Sequence, residues 1–249
     1  MGRCLRGFRA EFTKYWLEVR CYYPDQIVSV VVLFIMFMGF FSLGNHIKDP
    51  SYYIGFVFWF YASGIIGTSS VTISDEKQSG TFEQLLIKPT RLSTILLYRS
   101  VCWLILQTVE IIAVMSVIRI LFRVPMGFSI GVIPVFLVTI AGLIGISYIL
   151  SALTLIFTKT ASFCSIFGYV LLFFTGIISG TNSVGKFSHY VLPLSQGIQI
   201  SRQLILGETV LSEDVALLLF NSAAYLGIGL FIFRSVMKKA RTKGISQKY

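Results

Sequence analysis

Charge is the scarcest thing in this chain. Only 13% of its 249 residues are Asp, Glu, Lys or Arg, about half the share of a soluble domain. With 55% hydrophobic residues, no soluble core could hide the apolar surface, so the expected solvent is lipid. The four cysteines, Cys4, Cys21, Cys102 and Cys164, have no CxxC or metal spacing and read as free thiols. The two histidines, His46 and His189, stand far apart, and neither HExxH nor GxSxG occurs. A membrane-embedded enzyme therefore has no catalytic cluster to work with, and no metal site is expected. There is no N-x-S/T sequon. The first apolar run starts only near Ile27 and carries no A-x-A site, so a cleavable signal peptide is not expected.

What is present is a series of apolar runs. A bilayer core takes about 20 apolar residues per helix. Six runs meet or approach that length: Ile27–Gly44, Tyr52–Ile73, Thr94–Ile118, Phe128–Phe157, Ala161–Ser179 and Val215–Phe233. The fourth is long enough to tilt or break, with Pro134 in its first turns. No repeat and no low-complexity linker interrupts them. The expectation is an all-α integral membrane protein with one domain over 1–249: an interfacial segment (1–26), six spans (27–233) and a basic tail (234–249).

Net charge is +10. Beside such hydrophobicity this points to a bilayer and not to nucleic acid. With both termini inside, 16 of the 21 Lys and Arg residues fall on the inner side and five on the outer. The positive-inside rule then predicts cytoplasmic termini in a multi-pass cell-membrane protein. The tail from Arg234 reads as an anchor on anionic lipid.

In the N-terminal segment, Leu5, Phe8, Phe12, Trp16 and Val19 recur at helical spacing among charged positions. This predicts an amphipathic helix in the inner interface, or else a solvated helix packed on a partner. On the outer side, Pro193 opens and Gly207 closes a short helix, and Ser212 with Glu213 and Asp214 starts the last span. Whether that outer helix dips into the membrane is left open.

A polar stretch, "SDEKQSGTFEQLLIKPTR" (74–91), breaks the apolar pattern between the second and third runs. Gly80 permits a sharp turn. Thr81 and Gln84 have the spacing of a capping box. Phe82, Leu85 and Leu86 share one helix face, and Pro89 ends the helix. The expected product is a short cytoplasmic helix with a small exposed apolar face, suited to another protein's groove or to the membrane surface.

Two further features invite functional readings. Glu110 lies roughly 15 Å into the third span at 1.5 Å per residue, where a carboxylate costs about 2.5–3.5 kcal/mol. It is either a contact for a cationic substrate or proton, or a structural hydrogen bond to a neighbouring span. Trp59, Phe60, Phe173 and Phe174 are candidates to line a path through spans two and five, against plain lipid-facing packing. Arg99 is expected to snorkel to the headgroups. "GTNSVGKF" (180–187) nearly spells a phosphate-binding loop, but Phe187 replaces the required hydroxyl and no strand precedes it. It reads as an outer turn.

The stretch "EKQSGTFEQLLIKPTR" resembles the hallmark of type-2 ABC transporter permeases, the membrane subunits of type V exporters. The resemblance rests on Glu76, Gly80, Thr81, Glu83, Leu85, Leu86 and Pro89. "LPLSQGIQISRQLILGE" is similar to the family's segment before the last span, through Pro193, Arg202 and Gly207. The resemblance implies that 76–89 is the coupling helix that docks on an ATPase. It implies two cytoplasmic ATPase subunits, a second permease copy or a paralogue, and ATP with Mg on the ATPases and no cofactor on this chain. It implies export of a hydrophobic drug, antimicrobial peptide or lipid. The alternative is an ion-coupled transporter or channel using Glu110, though that class tends to show inverted repeats and none is visible.

Overall fold

The computed structural model describes residues 2–44, 52–87, 90–122, 126–157, 161–174 and 190–243. Its principal elements are helices: α1 (Gly2–Cys21), α2 (Tyr23–Gly44), α3 (Tyr52–Gln78), α4 (Phe82–Ile87), α5 (Leu92–Phe122), α6 (Val132–Ile156), α7 (Ala161–Phe174), α8 (Pro193–Leu206) and α9 (Ser212–Lys243). No strand occurs among the described residues.

Four helices, α3, α5, α6 and α9, are long and apolar enough to cross a bilayer. A fifth span arises if α1 and α2 count as one broken element, bent by 84°. The bend has a chemical cause. Pro24 sits in the first turn of α2, where its missing N–H costs nothing, but its ring forbids α1 from running straight on. The sixth expected run, Ala161–Ser179, starts as α7, and its end lies outside the described residues. The fourth run does not break. Pro134 falls in the first turn of a continuous α6, where it removes no helical hydrogen bond.

The core centres on α6. Its most extensive contact is with α9, followed by α3. The α6–α9 seam is made by missing side chains. A Cβ on Gly145 would lie 2.3 Å from the Tyr225 carbonyl carbon, and one on Gly229 would lie 2.1 Å from the Gly145 carbonyl oxygen. Small residues let backbones approach where lipid supplies no hydrophobic drive between helices. Helix α8 packs on α6 with Leu194, Ile198 and Ile200 buried. Pro193 opens it and Gly207, at φ 74°, closes it.

The lipid-like faces are equally clear. On α5, Val109, Ile112, Ile120 and Leu121 are exposed, and on α9 so are Leu219, Phe220, Ile228 and Phe231. The expected stripe on α1 is divided. Phe8 packs edge-on against Tyr98 of α5, with ring centroids 5.9 Å apart, whereas Trp16 is exposed.

Candidate coupling segment and intramembrane cleft

The polar stretch is built on the C-terminal end of α3. After Gln78 the chain turns through Gly80 at φ 68°, a left-handed conformation that glycine adopts without strain. Helix α4 follows. Thr81 does not use its hydroxyl as a cap. The hydroxyl donates instead to the Glu76 carboxylate at 2.5 Å and to the Glu76 carbonyl at 3.3 Å. It thereby staples the turn to α3. The Leu85 N–H reaches the Thr81 carbonyl at 3.2 Å.

The apolar face of α4 is not offered outward, contrary to the sequence expectation. Phe82 and Leu85 are 3% and 5% exposed and belong to the chain's own core, with Leu86 partly buried beside them. Outward stand Glu83, Gln84 and Ile87, the last at 82% exposure. Six residues of isolated helix are unstable in water, so this inward anchor is what gives α4 its shape. Pro89 lies outside the described residues.

Two cations hold the segment from opposite sides. Arg99, on α5, is buried and does not snorkel. Its Nη2 lies 3.1 Å from Glu76 Oε1 and its Nε 3.3 Å from Glu11 Oε2 on α1. One guanidinium therefore joins α1, α3 and α5, and through Glu76 it reaches Thr81. Its charge is compensated, as burial requires. Tyr15 of α1 lies in the same field. Burial pushes its hydroxyl up to about 12, so it stays neutral and adds no charge to the cluster. The second cation is Lys77. Its ammonium donates to the Thr154 carbonyl at 3.2 Å and the Leu155 carbonyl at 2.7 Å. These belong to the last turn of α6, where carbonyls lack helical partners and cations are favoured. The same ammonium stands 5.7 Å from the Phe82 ring centroid, within cation–π range.

A second feature lies within the spans. A cavity of about 520 Å³ opens between α2, α3 and α7, lined by Asp25, Ser29, Trp59, Phe60, Ser165 and Tyr169 among others. Two of the four aromatic candidates thus meet at one cleft. Trp59 is fixed there by its indole N–H, which donates to the Gly168 carbonyl of α7 at 2.8 Å. Phe60 is partly buried and lies near Trp103, with centroids 6.1 Å apart. The side chains of Phe173 and Phe174 lie outside the described residues.

Glu110 does not line the cleft but touches its edge. Its carboxyl is hydrogen-bonded to Ser29, a lining residue, while its Oε2 is buried without a partner. Glu110 therefore has a structural bond to a neighbouring span and one unused acceptor. Arg99, Lys77 and Glu11 carry the geometry of this segment; the sequence placed Lys77 in the stretch without a role and gave Arg99 and Glu11 no place there. Arg99 lies 88 positions from Glu11 and 23 from Glu76, and Lys77 lies 77 from Thr154, and no local pattern records such pairings.

These observations define a multi-pass helical membrane protein with a short helix anchored where α3 ends and α5 begins. The family model "ABC-2 type transporter" matches residues 4–206, and the chain belongs to that family. No curated protein sequence matches the chain. Membership makes the chain a membrane permease subunit of an ABC transporter, which works with an ATP-binding cassette subunit.

Proposed function

We propose that the chain is the membrane half of an ATP-driven exporter, coupled to its ATPase through the outward face of α4. The observation that carries this is the division of α4. Phe82 and Leu85 seat the helix, and Gln84 and Ile87 face outward, where a partner can reach them. A large aliphatic side chain 82% exposed on the outward side of α4 suits a contact more than a solvated turn. Two ATPases serve a pair of permeases, either two copies of this chain or this chain and a paralogue. The six apolar runs and the Lys and Arg distribution support six spans with both termini in the cytoplasm.

In this reading the substrate is hydrophobic or amphipathic, a drug, antimicrobial peptide or lipid. Support comes from the apolar and aromatic walls of the α2–α3–α7 cleft, with Trp59 and Phe60 as contacts. Glu110 then serves at the cleft's edge as an acceptor for a cationic group. In this reading ATP is the energy source, which family membership supports, and the ion-gradient alternative has no separate role. The test is co-purification of the tagged chain in mild detergent. The wild type is expected to bring a stoichiometric ATPase, and Ile87→Asp is expected to lose it while remaining folded. Full retention of the ATPase by Ile87→Asp and by Glu83→Lys would refute the assigned face.

A further inference from the structure

At the end of α9 a cavity of about 440 Å³ meets the start of α5. Leu92, Phe233 and Met237 form its apolar wall, and all three are buried. Arg91, Arg234 and Lys238 stand at its edge. Tyr148 of α6 backs the site. Its hydroxyl donates to the Ser93 carbonyl at 2.7 Å, and its ring lies 5.5 Å from that of Phe233. The position is set by a side chain that ties three helices together at one membrane boundary.

The charges need an explanation. Arg91 and Arg234 are exposed, and neither side chain has an ion pair or hydrogen bond among the described residues. Arg234 and Lys238 are one turn apart on α9, so both reach the same side. The first turn of α5 adds the positive end of a helix dipole. Cations gathered over an apolar wall, where two membrane-crossing helices end, match one kind of ligand. It has a phosphate at one end and hydrocarbon at the other. A free phosphate would gain nothing from Leu92, Phe233 and Met237, and a neutral lipid nothing from the arginines.

We propose that this cavity holds the headgroup phosphate of an anionic phospholipid, with Arg91 and Arg234 as its ligands and the α9 wall covered by the first part of an acyl chain. The proposal requires only that these helix ends lie at a bilayer surface, and it stands or falls separately from the coupling role of α4. It gives a function to Arg91, the last residue of the polar stretch 74–91. A bound lipid would clamp the entry of α5 to the exit of α9.

The experiment uses the full chain, purified and reconstituted in phosphatidylcholine nanodiscs with added phosphatidylglycerol. Retained lipid is counted by native mass spectrometry after release into detergent. A surface cation contributes to anionic-lipid attraction on a scale that makes two arginines worth roughly a 30-fold change in retention. Arg91→Gln with Arg234→Gln is expected to show that loss. Arg241→Gln with Lys243→Gln, further along the tail, is expected to change retention by less than about threefold. Equal losses in both pairs would overturn the site in favour of diffuse attraction by the tail. Thermal protection by millimolar inorganic phosphate alone, equal to that given by phosphatidylglycerol, would overturn the lipid assignment. Failure of the wild type to retain phosphatidylglycerol over phosphatidylcholine would overturn the proposal outright.

Discussion

Replacing Arg99 by Met removes the one cation shared by Glu11 and Glu76 and leaves both carboxylates facing each other across the vacated site. The side chains of the three residues are 6%, 13% and 19% exposed. Breaking a buried ion pair from one side costs about 3–5 kcal/mol. The carboxylates keep some access to water, so the lower end applies, about 3 kcal/mol. For a chain of this size each kcal/mol moves the midpoint by about 2–4 °C, so Tm should fall by roughly 6–12 °C. The assay is thermal unfolding in detergent, followed by intrinsic fluorescence. The informative variant is the triple change Arg99→Met, Glu11→Gln, Glu76→Gln. Replacing a buried ionic triad with neutral groups is often tolerated, so the triple variant should recover most of the loss. Arg99→Lys should fall between, because an ammonium lacks the planar fork that meets two carboxylates at once. A triple variant as unstable as Arg99→Met alone would refute the reasoning. The cost would then come from lost packing around α1, α3 and α5 and not from stranded charge.

Other consequences follow from the same geometry. Ile87→Asp should leave Tm nearly unchanged, as exposed substitutions usually shift stability by no more than about 0.5 kcal/mol, and still abolish ATPase co-purification. Phe82→Ala should cost about 3–5 kcal/mol and reduce the yield of folded protein. If thermal scans show the reverse ranking, the assignment of inner and outer faces of α4 is wrong. Gly145→Ala should destabilise by about 1–3 kcal/mol through its clash with the Tyr225 backbone. Gly227→Ala meets open space on the same seam helix and should be neutral or slightly stabilising in the same measurement. Glu110→Gln keeps an acceptor for Ser29, so expression and neutral-substrate export should persist. Transport of a cationic substrate should drop by about tenfold, the loss of one charged hydrogen bond, and equal transport of both substrates would make the residue structural.

How much of this was legible in the sequence depends on the range of the interaction. Helix ends are local events, and they were readable. Pro193 and Gly207 bracket α8, Ser212 starts α9, and Gly80 marks the turn into α4. The apolar spacing of Phe82, Leu85 and Leu86 correctly gave a helix face. It could not say what covers that face, and the cover proved to be the chain's own core. Thr81 shows the same limit. Its spacing from Gln84 suits a cap, but a carboxylate one helical turn behind competes for the hydroxyl and wins. Arg99 was misread because a lone arginine near a span end normally reaches for headgroups. Only the folded arrangement brings Glu11 to it from 88 residues away. Trp59 and Phe60 were picked as aromatic residues in the second span, and the cleft they share with α2 and α7 is a property of packing that no periodicity encodes.

The two cation ties have a common root in adjacent residues, and this constrains how α4 is able to move. Glu76 and Lys77 are consecutive on α3, and successive helical residues point about 100° apart. One therefore reaches sideways to Arg99 and α1, and the other reaches to the last carbonyls of α6. Thr81 and Phe82, also consecutive, meet those same two residues in turn. Helix α4 is thus attached to the end of α3 by a polar contact on the Glu76 side and a ring contact on the Lys77 side. A push on Ile87 cannot rotate α4 about one of these without straining the other. The unstrained motion is translation of α4 together with the C-terminal end of α3. That end carries α5 and α1 through Arg99, and α6 through Lys77. The α6–α9 seam has no side chains at Gly145 and Gly229 to yield, so a displacement of α6 must take α9 with it. The Arg99 and Lys77 ties run among α1, α3, α5 and α6, whereas α2 and α7 form two of the three walls of the cleft. A rigid shift of the α3–α5–α6–α9 group against them would change the width of that cleft without breaking a single buried ion pair.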